Sequence, residues 1–172
     1  TGPSGPGYFD WLASRGVPTT PESFPVVTVV DGGLDVGTTA PIDPSLYVAG
    51  LNTNPSRILF VGNVTSDPLA DDAGGHGHIN ASIVGGFDVG LAGLDTSNGA
   101  PLPGYLRGLG VNPYSRQGHY KIFKNNRAFD LSGVGNSDAA LVNAYFLEGT
   151  QVSTNSWGTS LGGQYNARAQ NY

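Results

Sequence analysis

The spacing of apolar positions changes several times along the chain, and each change predicts an element. Tyr8, Phe9, Trp11 and Leu12 mark a short amphipathic helix over 8–15, ended by Gly16 and Pro18. From Phe24 to Val30 the apolar run is continuous and β-branched, closing in Asp31-Gly32-Gly33. Such a run, without alternation, predicts a strand buried on both faces, as in parallel sheets. Residues 35–56, rich in Pro, Asn and Thr, carry no period and read as irregular surface structure. A second short strand is expected over 57–62. Behind a glycine-rich loop, Ile79, Ile83 and Val84 predict a helix that begins near His76 and buries an apolar face.

Residues 88–118 contain several Gly and Pro and predict a long insertion or functional surface loop. A third strand is expected over 119–123. Ser137 is an N-cap candidate for a helix over 138–147, with Ala140, Leu141, Ala144, Tyr145 and Leu147 apolar and Glu148-Gly149 closing it. A fourth strand is expected over 151–158, ending in a glycine turn, followed by a polar tail from Gly162. Strands alternating with helices predict an α/β fold with right-handed crossovers and a mostly parallel sheet. No internal repeat is visible.

Composition narrows the function. With 172 residues the chain has the length of one domain, or a piece of one, with a real core. Its 27 Gly and 12 Pro make it loop-heavy without reaching low complexity. Only eight Lys and Arg, scattered in a chain of net charge −5, argue against a nucleic-acid partner. The longest apolar run is far too short to cross a bilayer, so no membrane partner is expected. There is no cysteine, hence no disulfide. There is also no methionine, which predicts that something upstream was removed, such as a signal or pro-segment. Asn63-Val64-Thr65 forms a glycosylation triplet of low specificity.

The chemistry centres on Asp72-Ala73-Gly74-Gly75-His76-Gly77-His78. A glycine-rich loop that delivers a histidine to the first turn of a buried helix gives what a general base needs. The imidazole titrates near neutrality, and its mount is rigid. A loop histidine that merely caps the helix is the plainer reading. Zinc on His76 and His78 is a third, with His119 the only other histidine. Asp31 stands at the carboxyl end of a predicted strand, where open α/β sheets gather ligands. Alone it reads equally well as a turn aspartate.

Three stretches occur in one order: strand–Asp-Gly-Gly, Gly-His-Gly at a helix start, and strand–Asn-Ser-Trp-Gly. Together they resemble the subtilisin-like serine proteases, whose aspartate follows a Val/Ile strand and whose histidine motif reads G-H-G-T-H-V-A-G. A closing tail of the form G-x-Y is similar to that of the family's high-molecular-weight alkaline branch. The resemblance runs from about Val26 to the end of the chain. It implies a three-layer subtilisin-like fold, incomplete here, with residues 1–172 forming the N-terminal portion of one peptidase domain and 1–23 a lead and helix. It implies a secreted serine endopeptidase in which Asp31 orients and stabilises the imidazolium while His76 takes and returns the nucleophile's proton. Ser132, Gly133 and Val134 would form one edge, and Ser156, Trp157 and Gly158 the other, between which a polypeptide substrate binds as an added strand. The crossover through the 138–147 helix would bring both edges to one rim of the sheet.

This sequence departs from the family pattern at two places. His78, Ile79 and Asn80 displace the family's T-H-V, and Ser82 replaces a glycine. The second departure concerns the nucleophile. Gly158-Thr159-Ser160 spells the family's G-T-S, but no helical apolar pattern follows it, so Ser160 is rejected. Serine and oxyanion asparagine are expected beyond Tyr172, which makes the C-terminal remainder of the protease the expected partner and this chain inactive by itself. A non-catalytic structural or peptide-binding relative is the alternative. No cofactor is expected for catalysis. The family's structural calcium would find oxygen ligands at Asp67, Asp71 and Asp72.

Overall fold

The computed structural model describes residues 7–88 and 109–158, with the single positions 162 and 165. Most of the expected 88–118 loop, the polar tail and Ser160 lie outside the described residues. Four strands, β1 (Val26–Asp31), β2 (Ile58–Asn63), β3 (Gln117–Lys121) and β4 (Thr150–Thr154), form one all-parallel sheet in the order β2-β3-β1-β4. Three α-helices accompany it: α1 (Tyr8–Ser14), α2 (His76–Gly85) and α3 (Asp138–Leu147). The α/β expectation therefore holds.

The burial of each strand follows from this order. β1, the β-branched run, sits between β3 and β4, and five of its six residues are buried. Alternation along β3 sends Gln117, His119 and Lys121 to one face, toward α2, where the Gln117 amide donates to Ala81 O at 3.2 Å. Tyr120 goes to the other, where it packs with Val30, Val64, Ile122, Leu131 and the α3 residues Leu141 and Tyr145. Under α2 a smaller cluster joins Leu34, Leu46, Ile58 and Ala81. Ser137 caps α3 as expected, its hydroxyl accepting from Ala140 N–H at 3.1 Å.

Several expectations are corrected. Ile79 and Ile83 are 58% and 57% exposed. Instead α2 turns Gly77, Ala81 and Gly85 to the protein, a row of small residues four apart. A methyl group at Gly77 would overlap the Gly33 carbonyl oxygen, so the helix lies closer to the β1 end than a row of isoleucines would permit. Leu147, expected in the core, is 76% exposed at the end of α3. The third strand starts two residues early, at Gln117, and gives way after Lys121 to a hairpin bridged by Phe123 and Phe129. The fourth ends at Thr154, before the Asn155–Gly158 stretch.

Candidate functional site

The crossover from β1 passes β3 to reach β2, and the crossover from β3 passes β1 in the opposite direction to reach β4. The carboxyl end of β1 is therefore a topological switch point, where connections part and leave a crevice. Asp31, the last residue of β1, is 2% exposed there. Its Oδ1 accepts from the Gly32 N–H at 2.7 Å and lies 2.7 Å from His76 Nδ1. Its Oδ2 accepts from the Asn80 side-chain amide at 3.0 Å. The aspartate is thus buried and held from three sides, whereas the His76 side chain is 62% exposed.

The loop before α2 explains why His76 arrives in this place. Gly75 takes a left-handed φ of 75° and turns the chain into the helix. Asp72 supplies the cap, its carboxylate accepting from the N–H groups of Gly74 (3.2 Å), Gly75 (3.0 Å) and His78 (2.7 Å). A carboxylate against the free N–H groups of a helix start is favourable on both hydrogen-bonding and dipole grounds. The capping role therefore belongs to Asp72, and the imidazole of His76 is left to Asp31.

The other two histidines point elsewhere. His78 Nε2 pairs with Asp43 Oδ2 at 2.9 Å, and the bond to this carboxylate raises the His78 pKa while lowering that of Asp43. His119 is buried on β3, where loss of solvation pushes its pKa down to about 3 and keeps the ring neutral. Among the described residues no group of three or more His, Asp or Glu is arranged to hold a metal.

The three acids considered for calcium have other partners. Lys121 Nζ, fully buried, lies 3.2 Å from Asp67 Oδ2 and 3.1 Å from Asp71 Oδ1, and donates to Asp71 O (2.9 Å) and Asn125 Oδ1 (2.5 Å). Asp72 is the helix cap described above. An ammonium group therefore occupies the centre of the Asp67–Asp71 oxygens. The Asn63 amide of the glycosylation triplet is bonded inward, to Asp67 O (2.7 Å) and Leu69 O (3.1 Å).

Of the two expected substrate edges, one departs from expectation. Ser132, Gly133 and Val134 form a 3-10 turn, not an extended edge, and the Gly133 N–H is already given to Val64 O at 2.8 Å. Leu131 is buried in the core beside them, which draws the chain inward and curls it. Trp157 does reach the site. Its indole N–H donates to Val30 O at 2.9 Å, and its ring stands 6.0 Å from Phe123 and 5.6 Å from Phe129. Ser156 and Gly158 flank it, exposed.

Asp31, His76 and Trp157 line a single depression of about 470 Å³, together with Ile79, Phe123, Lys124 and Arg127. Sequence reasoning passed over Asn80, although its place four residues after His76 puts both side chains on one helical face. It also passed over the Phe123–Arg127 hairpin, whose short polar tip carries no motif. Compared with known proteins, the chain matches no family model and no curated protein sequence.

Proposed function

We propose that this chain carries the acid–base half of a serine endopeptidase, with Asp31 and His76 acting on a nucleophile supplied by a later part of the same polypeptide. The observation that carries this reading is the 2.7 Å contact between a buried carboxylate and a largely exposed imidazole at a switch point of a parallel sheet. A carboxylate at Nδ1 favours the tautomer with its proton on that nitrogen, which leaves Nε2 with a free lone pair. Nε2 then accepts the serine proton during attack on a peptide carbonyl and returns it to the leaving amine. Asp31 fixes the ring and stabilises the imidazolium formed between these steps. Trp157, anchored to the β1 backbone, forms a wall for substrate, and Ser156 and Gly158 offer backbone at its flanks.

The edge of the sheet leaves room for such a later part. β4 pairs only with β1 among the described strands, and its Val152 is 49% exposed. An open parallel edge with apolar side chains is a place for a further strand. The second reading is a peptide-binding module without catalysis. It draws on one observation: no serine or cysteine hydroxyl or thiol is bonded to His76 among the described residues.

A fluorophosphonate probe separates the two in the native polypeptide that contains this sequence. Labelling of one serine, abolished by His76→Ala, is the expected result. Folded material that does not label would leave only the binding module.

A further inference from the structure

The depression beside His76 has an apolar floor and a basic rim. Phe123 and Trp157 supply the floor, ring against ring at 6.0 Å. Lys124 and Arg127 supply the rim, from the hairpin that follows β3. That hairpin is held in place. Lys124 N–H donates to Ala128 O (2.9 Å), Arg127 N–H to Lys124 O (2.7 Å), and Asn125 N–H to Asp67 Oδ2 (2.7 Å). Both cations are therefore mounted on a fixed turn.

The lining holds two carboxylates and two cations, which come from different segments of the chain. The carboxylates are Asp31 and Asp72; the first is bonded to His76, Gly32 and Asn80 and the second accepts three backbone N–H groups. Asp67, the carboxylate that senses Lys124, is engaged by buried Lys121. The chain has only eight Lys and Arg, and two of these, Arg57 and Lys121, are buried outright. An acidic protein of net charge −5 thus places two of its eight Lys and Arg, both on one hairpin, in the lining of this depression.

We infer that the depression selects polypeptide segments in which an apolar side chain adjoins an acidic one. The apolar group rests on Phe123 and Trp157, and the carboxylate meets Lys124 and Arg127. A bidentate guanidinium contact and a second positive charge would discriminate Glu or Asp from neutral and basic residues. This rests on the proposed polypeptide substrate and goes beyond it by naming the substrate's chemistry.

The test is binding of dye-labelled octapeptides, by fluorescence anisotropy, to the native polypeptide that contains this sequence, with His76→Ala to prevent their hydrolysis. Three peptides differ at one position beside a leucine, carrying Glu, Gln or Lys. The Glu peptide should bind about tenfold tighter than the Lys peptide at low salt, and the gap should shrink below about twofold in ~0.5 M salt. Lys124→Gln with Arg127→Gln should abolish the preference, and Lys124→Glu with Arg127→Glu should reverse it. Both positions lie on a surface hairpin, and circular dichroism checks that each variant is folded. Equal binding of all three peptides, a preference that survives the double substitution, or no binding at all would overturn the inference. Fluorophosphonate labelling is read separately, so a peptidase without this preference is distinguishable from a selective groove without chemistry.

Discussion

At the scale of single residues, Asp31 is governed by how many donors surround a buried carboxylate. Oδ1 has Gly32 and His76, and Oδ2 has the amide of Asn80. Replacing Asn80 by leucine keeps the shape and removes the donor, so Oδ2 loses its side-chain partner and the carboxylate is free to turn away from Nδ1. A turnover loss of about tenfold with little change in KM is expected, the pattern of a group acting through another rather than on substrate. Steady-state kinetics on Asn80→Leu checks this, and an unchanged kcat would show that Asn80 only fills space.

The second histidine contact makes a pH prediction. His78 is raised by Asp43, so the pair's contribution is present below the ordinary histidine value of about 6.5 and is lost as pH rises through the raised value. Asp43 is lowered, so the same contribution also fades when pH falls through the depressed carboxylate range. Both groups are about a quarter exposed, which keeps the effect near or below ~1 kcal/mol. His119, buried and neutral, weakens the fold on acidification and would mask this in the parent protein alone. The thermal midpoint difference between the parent and His78→Gln should therefore be present at pH 5–6 and vanish by pH 9. A difference independent of pH would remove the ion pair from the explanation.

At the scale of elements, what was legible depended on whether side-chain chemistry and burial agreed. β1 could be read because its apolar run is buried on both faces, and α3 because Ser137, its apolar face and Gly149 mark start, side and end. The orientation of α2 could not be read from Ile79 and Ile83. The helix seats itself on Gly77, Ala81 and Gly85, and small residues give no hydrophobic signal. Gly77→Ala is expected to destabilise by about 1–3 kcal/mol through overlap with the Gly33 backbone. Ile83→Ala should stay within about 0.5 kcal/mol, as for an exposed site. Chemical denaturation of both variants checks the pair, and the reverse ranking would contradict this seating.

β3 was placed two residues late for a related reason. Gln117 and Lys121 are polar yet fully buried, the Gln117 amide N–H donating to Ala81 O and the Lys121 ammonium to Asp71 O, both far away in sequence. Lys121 also ties the loop between β2 and α2 to the hairpin after β3, since Asp67 and Asp71 belong to one and Asn125 to the other. Lys121→Met leaves those carboxylates facing each other without their cation and should lower the denaturation midpoint. Added calcium should leave the stability of the parent protein nearly unchanged, because the ammonium holds the position.

At the scale of the whole molecule, the sheet order brings together residues 45 positions apart in sequence. The sequence motifs were sufficient to name Asp31 and His76. They could not supply the hairpin rim, because hairpin tips are set by backbone closure and tertiary anchors rather than by periodicity. Nor could they foresee the curled Ser132–Val134 turn, whose shape depends on Leu131 entering the core. The depression that results combines a base, an anchored tryptophan and two cations contributed by three separate segments. Under the proposed function, the nucleophilic serine would meet His76 at this depression.

The most direct test is the rate of peptide hydrolysis by the complete native polypeptide and its Asp31→Asn and His76→Ala variants. Falls of about 10⁴-fold and 10⁶-fold in kcat are expected, with KM nearly constant, as for a triad acting as a unit. Hydrolysis that proceeds at parent rates without His76 would contradict the assignment.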